Sequence, residues 1–533
     1  MRLIGVRTVA FMVAFIGAVN LFTAIRHTKA ASFAGPIDGG VPGRAQMLVI
    51  GLLLLTIARG LVRLRRAAWI GGIVTVCCAM FLCIPQHRPI AALFCGAALI
   101  DLVLIRSAFL TRPDPGRMRT AAYLSLVAIL AALTGGIGDA MANRHHPGGA
   151  GRIVLADFST GHPGNIRAMI IAITLGAAIV AAVIVAFAPA RAPEPGTAGE
   201  RAVVRELVAH EDADSLAPFA TRADKTYVFS PDGRAAIGYR VIFGTALVGG
   251  DPVGAVESAE DAMRAYLALC TEHGWRPAVL GASDEMRMAW CRLGMRGLRI
   301  GDEAVLDVAG FSLESRRMRN LRQAVNRTRN AGVTVTITRP TAVQAEQLAP
   351  VLAHWLHGAR EHGFAMNLDA ILTPRPDCLI ATAYGRDGEP VAFARFALAA
   401  DGTCYTLDVA PRGRNAPNGV AERLIVEIVE YAREHGGREV SLNFAALRWI
   451  FASRSVGARV SVMLMHSIDR WVEVGPLNRF CEKFAPSWRA RSLLLGSWFE
   501  LAWVVAAALR AEFGSSVASP SSEPTPVAVI PRF

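Results

Sequence analysis

The nine cysteines of this 533-residue chain include no Cys-x-x-Cys pair, so neither a disulfide framework nor a zinc site is indicated. Cys77 and Cys78 adjoin, while Cys270, Cys291, Cys378, Cys404 and Cys481 are scattered singly, as reduced core residues of a cytoplasmic domain are. A zinc-protease motif is missing too. His354, His357 and His362 fall with Glu361 on one expected helix, but not in His-Glu-x-x-His order, so they read as solvated or partly buried side chains and no metal is expected. Carboxylates are scarce where they would matter most. Between Phe311 and Gly332 only Glu314 is acidic, against Arg316, Arg317, Arg319, Arg322, Arg327 and Arg329. At helical spacing Leu313, Met318, Leu321 and Val325 turn inward while most of the arginines, with Asn320, Gln323 and Asn326, turn out. A solvated charged face is the plain reading of such a helix. Forked guanidinium donors without neutralising neighbours suit phosphates better.

What the chain has in excess is apolar residues, 53% of the total, and positive charge, +13 net. The charge implies acidic partners, whether anionic lipid or nucleic acid. The apolar residues crowd the first 190 positions, where runs at 4–25, 46–62, 68–84, 90–110, 121–137 and 168–188 have the length of about 17–25 residues that crosses a bilayer. The expectation for 1–190 is therefore a multispan α-helical membrane domain of about six helices. Loops bearing Arg59, Arg63, Arg65 and Arg66, and Arg106, Arg112, Arg117 and Arg119, should be cytoplasmic, placing the N-terminus and everything after 188 inside and the loop 139–167, with His145-His146, outside. Asp101, inside the fourth run, has Arg106 about one turn further on and reads as a snorkelling or structural carboxylate.

A proline- and glycine-rich linker (191–201) leads to two stretches, 202–309 and 310–492, in which strand and helix patterns recur in similar order. These predict an α/β (α+β) cytoplasmic domain of two like units with largely antiparallel sheets. The run 493–509 is almost continuously apolar but holds Glu500, Trp498 and Trp503. It predicts a helix over 493–512, either lying on a membrane surface or buried in a core. The serine- and proline-rich tail 513–533 is expected to be disordered.

Several short segments together carry a resemblance. They are Gly250-Asp-Pro-Val-Gly254, Gly301-Asp-Glu-Ala304, Phe311-Ser-Leu-Glu314, Arg317-Met-Arg-Asn-Leu-Arg-Gln-Ala-Val-Asn-Arg327, Leu407-Asp408, Ala416-Pro-Asn-Gly-Val420, Leu442-Asn443-Phe444 and Lys483-Phe-Ala-Pro-Ser-Trp488. In this order behind a multispan segment, the chain over 202–491 resembles the C-terminal domain of the phosphatidylglycerol lysyltransferase family, the aminoacyl-phosphatidylglycerol synthases. The resemblance implies a tandem GNAT-type fold. It also implies transfer of lysyl or alanyl from aminoacyl-tRNA to a headgroup hydroxyl of an anionic phospholipid, with no cofactor. Acyl transfer of this kind needs an oriented hydroxyl, a stabilised oxyanion and a grip on the donor's phosphates. On that reading Asp408, Lys483, Glu303 and Arg412 are the catalytic candidates, and Arg316, Arg319, Arg322, Asn326, Asn418 and Asn443 the substrate-binding ones.

The chain departs from the family in two places. Asp408-Val409-Ala410-Pro411 stands where Asp-Leu-Met-Arg is common, with arginine one place later at Arg412, and Arg489-Ala490-Arg491 stands near where Pro-Arg-Tyr is common. Acetyl-CoA chemistry is disfavoured because Arg412-Gly-Arg-Asn-Ala-Pro-Asn-Gly419 lacks the glycine-spaced pyrophosphate loop. A membrane acyltransferase with another activated donor, and a non-catalytic lipid- or RNA-binding scaffold, are the alternatives.

Overall fold

The computed structural model describes residues 2–26, 44–83, 89–106, 109, 111–142, 166–358, 367–446 and 474–514. The expected outer loop with His145-His146, the pair Glu361 and His362, and the tail from 515 lie outside the described residues. The chain forms two units, Met1–Arg191 with Leu269–Trp275, and Ala192–Ala268 with Arg276–Phe533.

In the first unit each expected apolar run is a helix: α1 (Arg2–Arg26), α2 (Arg44–Val62), α3 (Arg66–Cys83), α4 (Pro89–Leu104), α5 (Pro115–Ala142) and α6 (Ile166–Ala186). Small residues let α1 and α2 touch backbone to backbone, since a Cβ on Gly51 would stand 2.9 Å from the Gly17 carbonyl oxygen. Val6, Val9, Ala10, Ile57, Leu61 and Leu102 form the core, and the Trp69 indole N–H donates to Leu102 O at 2.8 Å. Among the described residues no helix is long and apolar enough to cross a membrane. Asp101 is exposed.

The second unit is built on one twelve-stranded sheet. After α7 (Ala198–Val208), whose N-terminus is closed by a Thr197–Glu200 capping box, come β1 (Thr226–Phe229), β2 (Ala235–Ile242), β3 (Thr245–Gly249), β4 (Val253–Gly254), α8 (Val256–His273), β5 (Arg276–Ser283), α9 (Asp284–Arg292) and β6 (Arg296–Asp307). A short 3₁₀ turn leads into α10 (Arg319–Asn330), then β7 (Thr334–Thr338), α11 (Ala342–Leu356), β8 (Cys378–Tyr384), β9 (Pro390–Ala399), β10 (Cys404–Val409), α12 (Val420–Glu434) and β11 (Glu439–Ala446). The last elements are α13 (Val474–Glu482), β12 (Ser487–Leu495) and α14 (Leu501–Phe513).

The sheet runs β1-β2-β3-β5-β12-β6-β11-β10-β9-β8-β7, with β4 on β2. Each sequence half contributes one parallel pair, β3 with β5 and β10 with β11, in an otherwise antiparallel ladder. This is the α/β, GNAT-like pattern expected of the second half of the chain. The final strand β12 inserts between β5 and β6, so β6 is paired on one side to β12 and on the other to β11.

The expected helix over 493–512 needs correction. Leu493, Leu494 and Leu495 are the buried end of β12, and the helix starts only at Leu501. The apolar run divides at Gly496-Ser497, so two elements hide in one hydrophobic stretch. β12 was not expected at all, because Arg489 and Arg491 interrupt its apolar pattern.

Candidate active site

α10 forms because Leu321, Ala324, Val325 and Thr328 make one buried stripe, continued by Met318 into the core around β6 and β8–β11. Arg316, Arg317, Arg319, Asn326, Arg327 and Arg329 are exposed, and Arg322 is half-buried with its guanidinium donating to Leu313 O. Arg329 has Glu427 at 3.9 Å. The helix lies against the start of α12, where Gly419 has φ +100° and a Cβ would come 2.8 Å from Ala324 O; only glycine meets both conditions. Asn418, just before it, is exposed. Lys483, at the end of α13, donates to Glu422 in the first turn of α12 at 2.8 Å. Thus the arginine helix and Lys483 both meet the N-terminal end of α12. Arg412 is exposed on an extension of β10 that stays tied to β9, since Phe393 N–H donates to Pro411 O and Gly413 N–H to Val391 O.

Asp408 is in a different setting. Its Oδ2 accepts from Arg395 Nε at 2.5 Å, neither side chain being exposed, and its Oδ1 accepts from Leu368 N–H at 2.8 Å. Arg395 also donates to Ala370 O and Ile371 O. The pair therefore pins the segment 367–371 to β9 and β10. One residue earlier, Leu407 O accepts from Asn443 Nδ2 at 2.9 Å. Asn443 has φ +70° in a bulge of β11, its Oδ1 accepting from Phe444 N–H and its own N–H donating to Ser441 Oγ. Both parallel strands break register here, β10 at Leu407/Val409 and β11 at Ser441/Phe444.

From Ser441 the network continues inward. Glu303, wholly buried on β6, accepts from Ser441 Oγ and Ser215 Oγ on Oε1 and from Arg491 on Oε2. Arg491, also wholly buried, donates Nη2 to Asp214 at 2.7 Å and to Ser215 Oγ at 3.1 Å, and has Asp251 at 3.6 Å. Asp251 itself accepts from Ser283 N–H. Burial pushes the Asp251 carboxyl up to about 7, the Asp214 charge adding to it and Arg491 opposing. Burial works against Asp214 as well, but the Arg491 charge and hydrogen bond outweigh it and hold that carboxyl below the usual range. The same carboxylates hold Arg491 well above the ordinary arginine value despite its desolvation. Nearby in sequence, Lys225 is wholly buried, and loss of solvent pushes its ammonium down to about 7.

The structure thus joins Glu303 to Asn443 through Ser441 and ties Asn443 to the Leu407 carbonyl beside Asp408, whose own carboxylate is held separately by Arg395 and Leu368 N–H, and it leaves Lys483, Asn418, Arg412 and the arginine face at the surface. Sequence reasoning missed Arg491, Asp214, Ser215, Asp251 and Ser441. The available signal was the arginine of Arg489-Ala490-Arg491, read only as a departure. Among the described residues no group of three His, Cys, Asp or Glu side chains could hold a metal ion; His354 and His357 pack ring to ring at 5.2 Å.

Two solved structures share the fold. The C-terminal domain of a putative lysylphosphatidylglycerol synthetase from Agrobacterium fabrum superposes with a TM-score of 0.53 at 24% identity, covering 60% of this chain and 98% of that one. L-PGS from Bacillus licheniformis gives a TM-score of 0.52 at 22% identity, covering 59% and 96%. Among curated relatives, the lysylphosphatidylglycerol biosynthesis bifunctional protein LysX of Gordonia bronchialis is 35% identical over 428 residues, 75% of this chain and 37% of that protein. The LysX protein of Mycobacterium avium is 37% identical over 63% of this chain and 29% of its own length. The chain therefore spans about a third of the length of these relatives. The family model for the C-terminal part of phosphatidylglycerol lysyltransferase matches residues 205–495. With more than half of its length matched by that model, the chain belongs to the phosphatidylglycerol lysyltransferase C-terminal family.

Proposed function

We propose that this protein is an aminoacyltransferase that moves a lysyl or alanyl group from aminoacyl-tRNA to a headgroup hydroxyl of an anionic phospholipid such as phosphatidylglycerol. The observation that carries the donor side is the face of α10, where Arg316, Arg317, Arg319 and Arg327 are exposed and no ion-pair partner meets them among the described residues. Such a row grips a phosphate backbone by charge and by forked hydrogen bonds. In the reaction the lipid hydroxyl oxygen bonds to the ester carbonyl carbon, the bond from that carbon to the ribose oxygen breaks, and the hydroxyl proton ends on the ribose.

Glu303 and Asp408, both buried and saturated with hydrogen bonds, hold the bulged ends of β10 and β11 where the reacting ester would sit. Asn443, between them, presents a polar side chain at the bulge. Lys483, Arg412 and Asn418 are surface donors for phosphate, headgroup or oxyanion, with Arg319 and Asn326 on the same duty along α10 and Arg322, tied to Leu313 O, bracing the turn before the helix.

Although no described helix is long and apolar enough to cross a membrane by itself, the first unit is read, from the apolar runs of its sequence, as a multispan domain of a bacterial-type cell membrane with the N-terminus and the second unit on the cytoplasmic side. Support comes from apolar side chains turned outward on its helices, among them Phe11, Phe15, Leu93 and Leu104. Lipid addition of this kind would lower the negative surface charge that attracts cationic peptides. The test is to give membranes carrying the protein radiolabelled lysyl- and alanyl-tRNA. Label in the chloroform-extracted lipid, abolished by prior RNase treatment, is expected. Label absent from lipid with every charged tRNA overturns the reading, and label supplied only by acetyl-CoA would replace it with another acyl donor.

A further inference from the structure

The helix α14 is apolar on both faces. Its inner face places Val504, Ala507 and Ala511 against Ile242, Leu247, Ala278, Leu280, Leu493 and Leu495 of the sheet. Among the described residues its outer face is uncovered: Trp503, Val505 and Leu509 are exposed, and the turn before it leaves Trp498 exposed and Phe499 98% exposed. A helix hydrophobic all round is ordinarily buried, and a contiguous exposed apolar surface of this kind marks an interaction site.

The rim identifies the occupant. Arg510 is exposed on the outer face, while Arg276 is buried, holding the Trp503 indole from 5.2 Å over its ring with Glu500 at 3.8 Å, and stands behind the rim rather than in it. In β6, Arg296 pairs with Leu495 and Leu298 with Leu493, so both lie on the face of the sheet that α14 covers, and both are exposed. Tryptophans beside an apolar stripe, rimmed by arginines, match the layered chemistry of a bilayer surface, with indoles at headgroup depth and guanidiniums on phosphates. We propose that α14 with the preceding turn is a docking surface for anionic phospholipid, seating the second unit on the membrane that holds its acceptor. A protein partner or second copy would need complementary charge, whereas the exposed rim offers arginines to any anionic headgroup.

The identification of the acceptor as a lipid rests on the proposed function; the contact itself is tested without turnover. The full chain is placed in nanodiscs of phosphatidylcholine with or without phosphatidylglycerol, carrying a benzophenone amino acid at Phe499, at Leu509, or at the exposed Met288 of α9 as a control. Lipid adducts at 499 and 509, rising with phosphatidylglycerol and absent at 288, are expected. Adducts to a second copy or to another peptide of the chain, or no adducts at 499 and 509, overturn the proposal. A second measurement compares acceptors. Phe499→Ser with Leu509→Ser should raise KM at least fivefold for phosphatidylglycerol in a bilayer and leave kcat on a soluble short-chain form unchanged. Equal losses on both acceptors would also overturn it. Failure of transfer to any lipid, with adducts still formed, would sink the catalytic reading and leave the docking surface standing.

Discussion

Arg491 is the residue on which the buried polar network turns, because its guanidinium meets Glu303, Asp214 and Asp251 together. Removing one partner from such a cluster leaves charge without compensation, at a cost of about 3–5 kcal/mol. Arg491→Met should therefore lower the unfolding midpoint strongly, while the exposed Arg316→Met should hardly move it; denaturant titration distinguishes the two. Asp251 adds a pH signature. Its carboxyl is held near 7 in the fold against an ordinary 3.8, so the folded state binds the extra proton between those values. Stability from this group is present below about 4 and lost as pH rises towards 7 and beyond. The wild type should thus lose stability relative to Asp251→Asn over that interval, and parallel pH profiles for the two proteins would refute the assignment. The sequence marked Glu303 and Asp408 as important carboxylates but held no sign that each is buried against an arginine. For Glu303 the partnership is made by strands distant in sequence, Arg491 coming from β12, 188 residues later, and for Asp408 by the cross-strand pairing of β10 with β9, which brings Arg395 to it. A charged residue inside a strand looks like a solvent position until its partners are known, and Asp214 and Ser215, in the loop before the 3₁₀ turn Ala217–Thr221, look like ordinary polar loop residues.

At the scale of elements, the arginine helix was legible because it has a clean apolar stripe at helical spacing. Its packing on α12 was not, since it depends on Gly419 and its left-handed backbone. Gly419→Ala puts a Cβ both in a disfavoured conformation and against Ala324 O. The expected cost is about 1–3 kcal/mol, with loss of tRNA affinity from a displaced α10; unchanged affinity in the destabilised protein would separate the helix from donor binding. The face itself has a sharper test. If Arg316, Arg319 and Arg327 each meet a phosphate, the triple glutamine variant should flatten the plot of log affinity against log salt by roughly 2, at about 0.7 per contact for single-stranded RNA. An unaltered slope would return the arginines to a merely solvated role. The apolar run after Ser492 was misread for a related reason: three leucines ending a buried strand and a thirteen-residue helix present the same composition as one long helix, and only the Gly496-Ser497 break tells them apart.

Across the second unit, the insertion of β12 between β5 and β6 joins the two similar halves into one ladder, which neither half's sequence pattern discloses. β6 belongs by sequence to the first half, yet its other edge carries β11 of the second. Leu494 on β12 is wholly buried, and an aspartate there would place a charge in the core with no partner, a change that drives unfolding. If the sheet is one cooperative body, Leu494→Asp should raise hydrogen exchange in β3 and in β9 together, although β9 lies four strands away from β12 along the sheet. Protection lost from β3 and β5 but kept in β8, β9 and β10 would instead show the halves to be separate folding units that share an edge. The first outcome carries a consequence for catalysis. The ladder links the Arg491 cluster to the bulged strands holding Asp408 and Asn443, so a change in either half should be felt at the proposed ester site, and the same variant should lower the proposed transfer activity even where the tRNA binding proposed for the arginine face is unchanged.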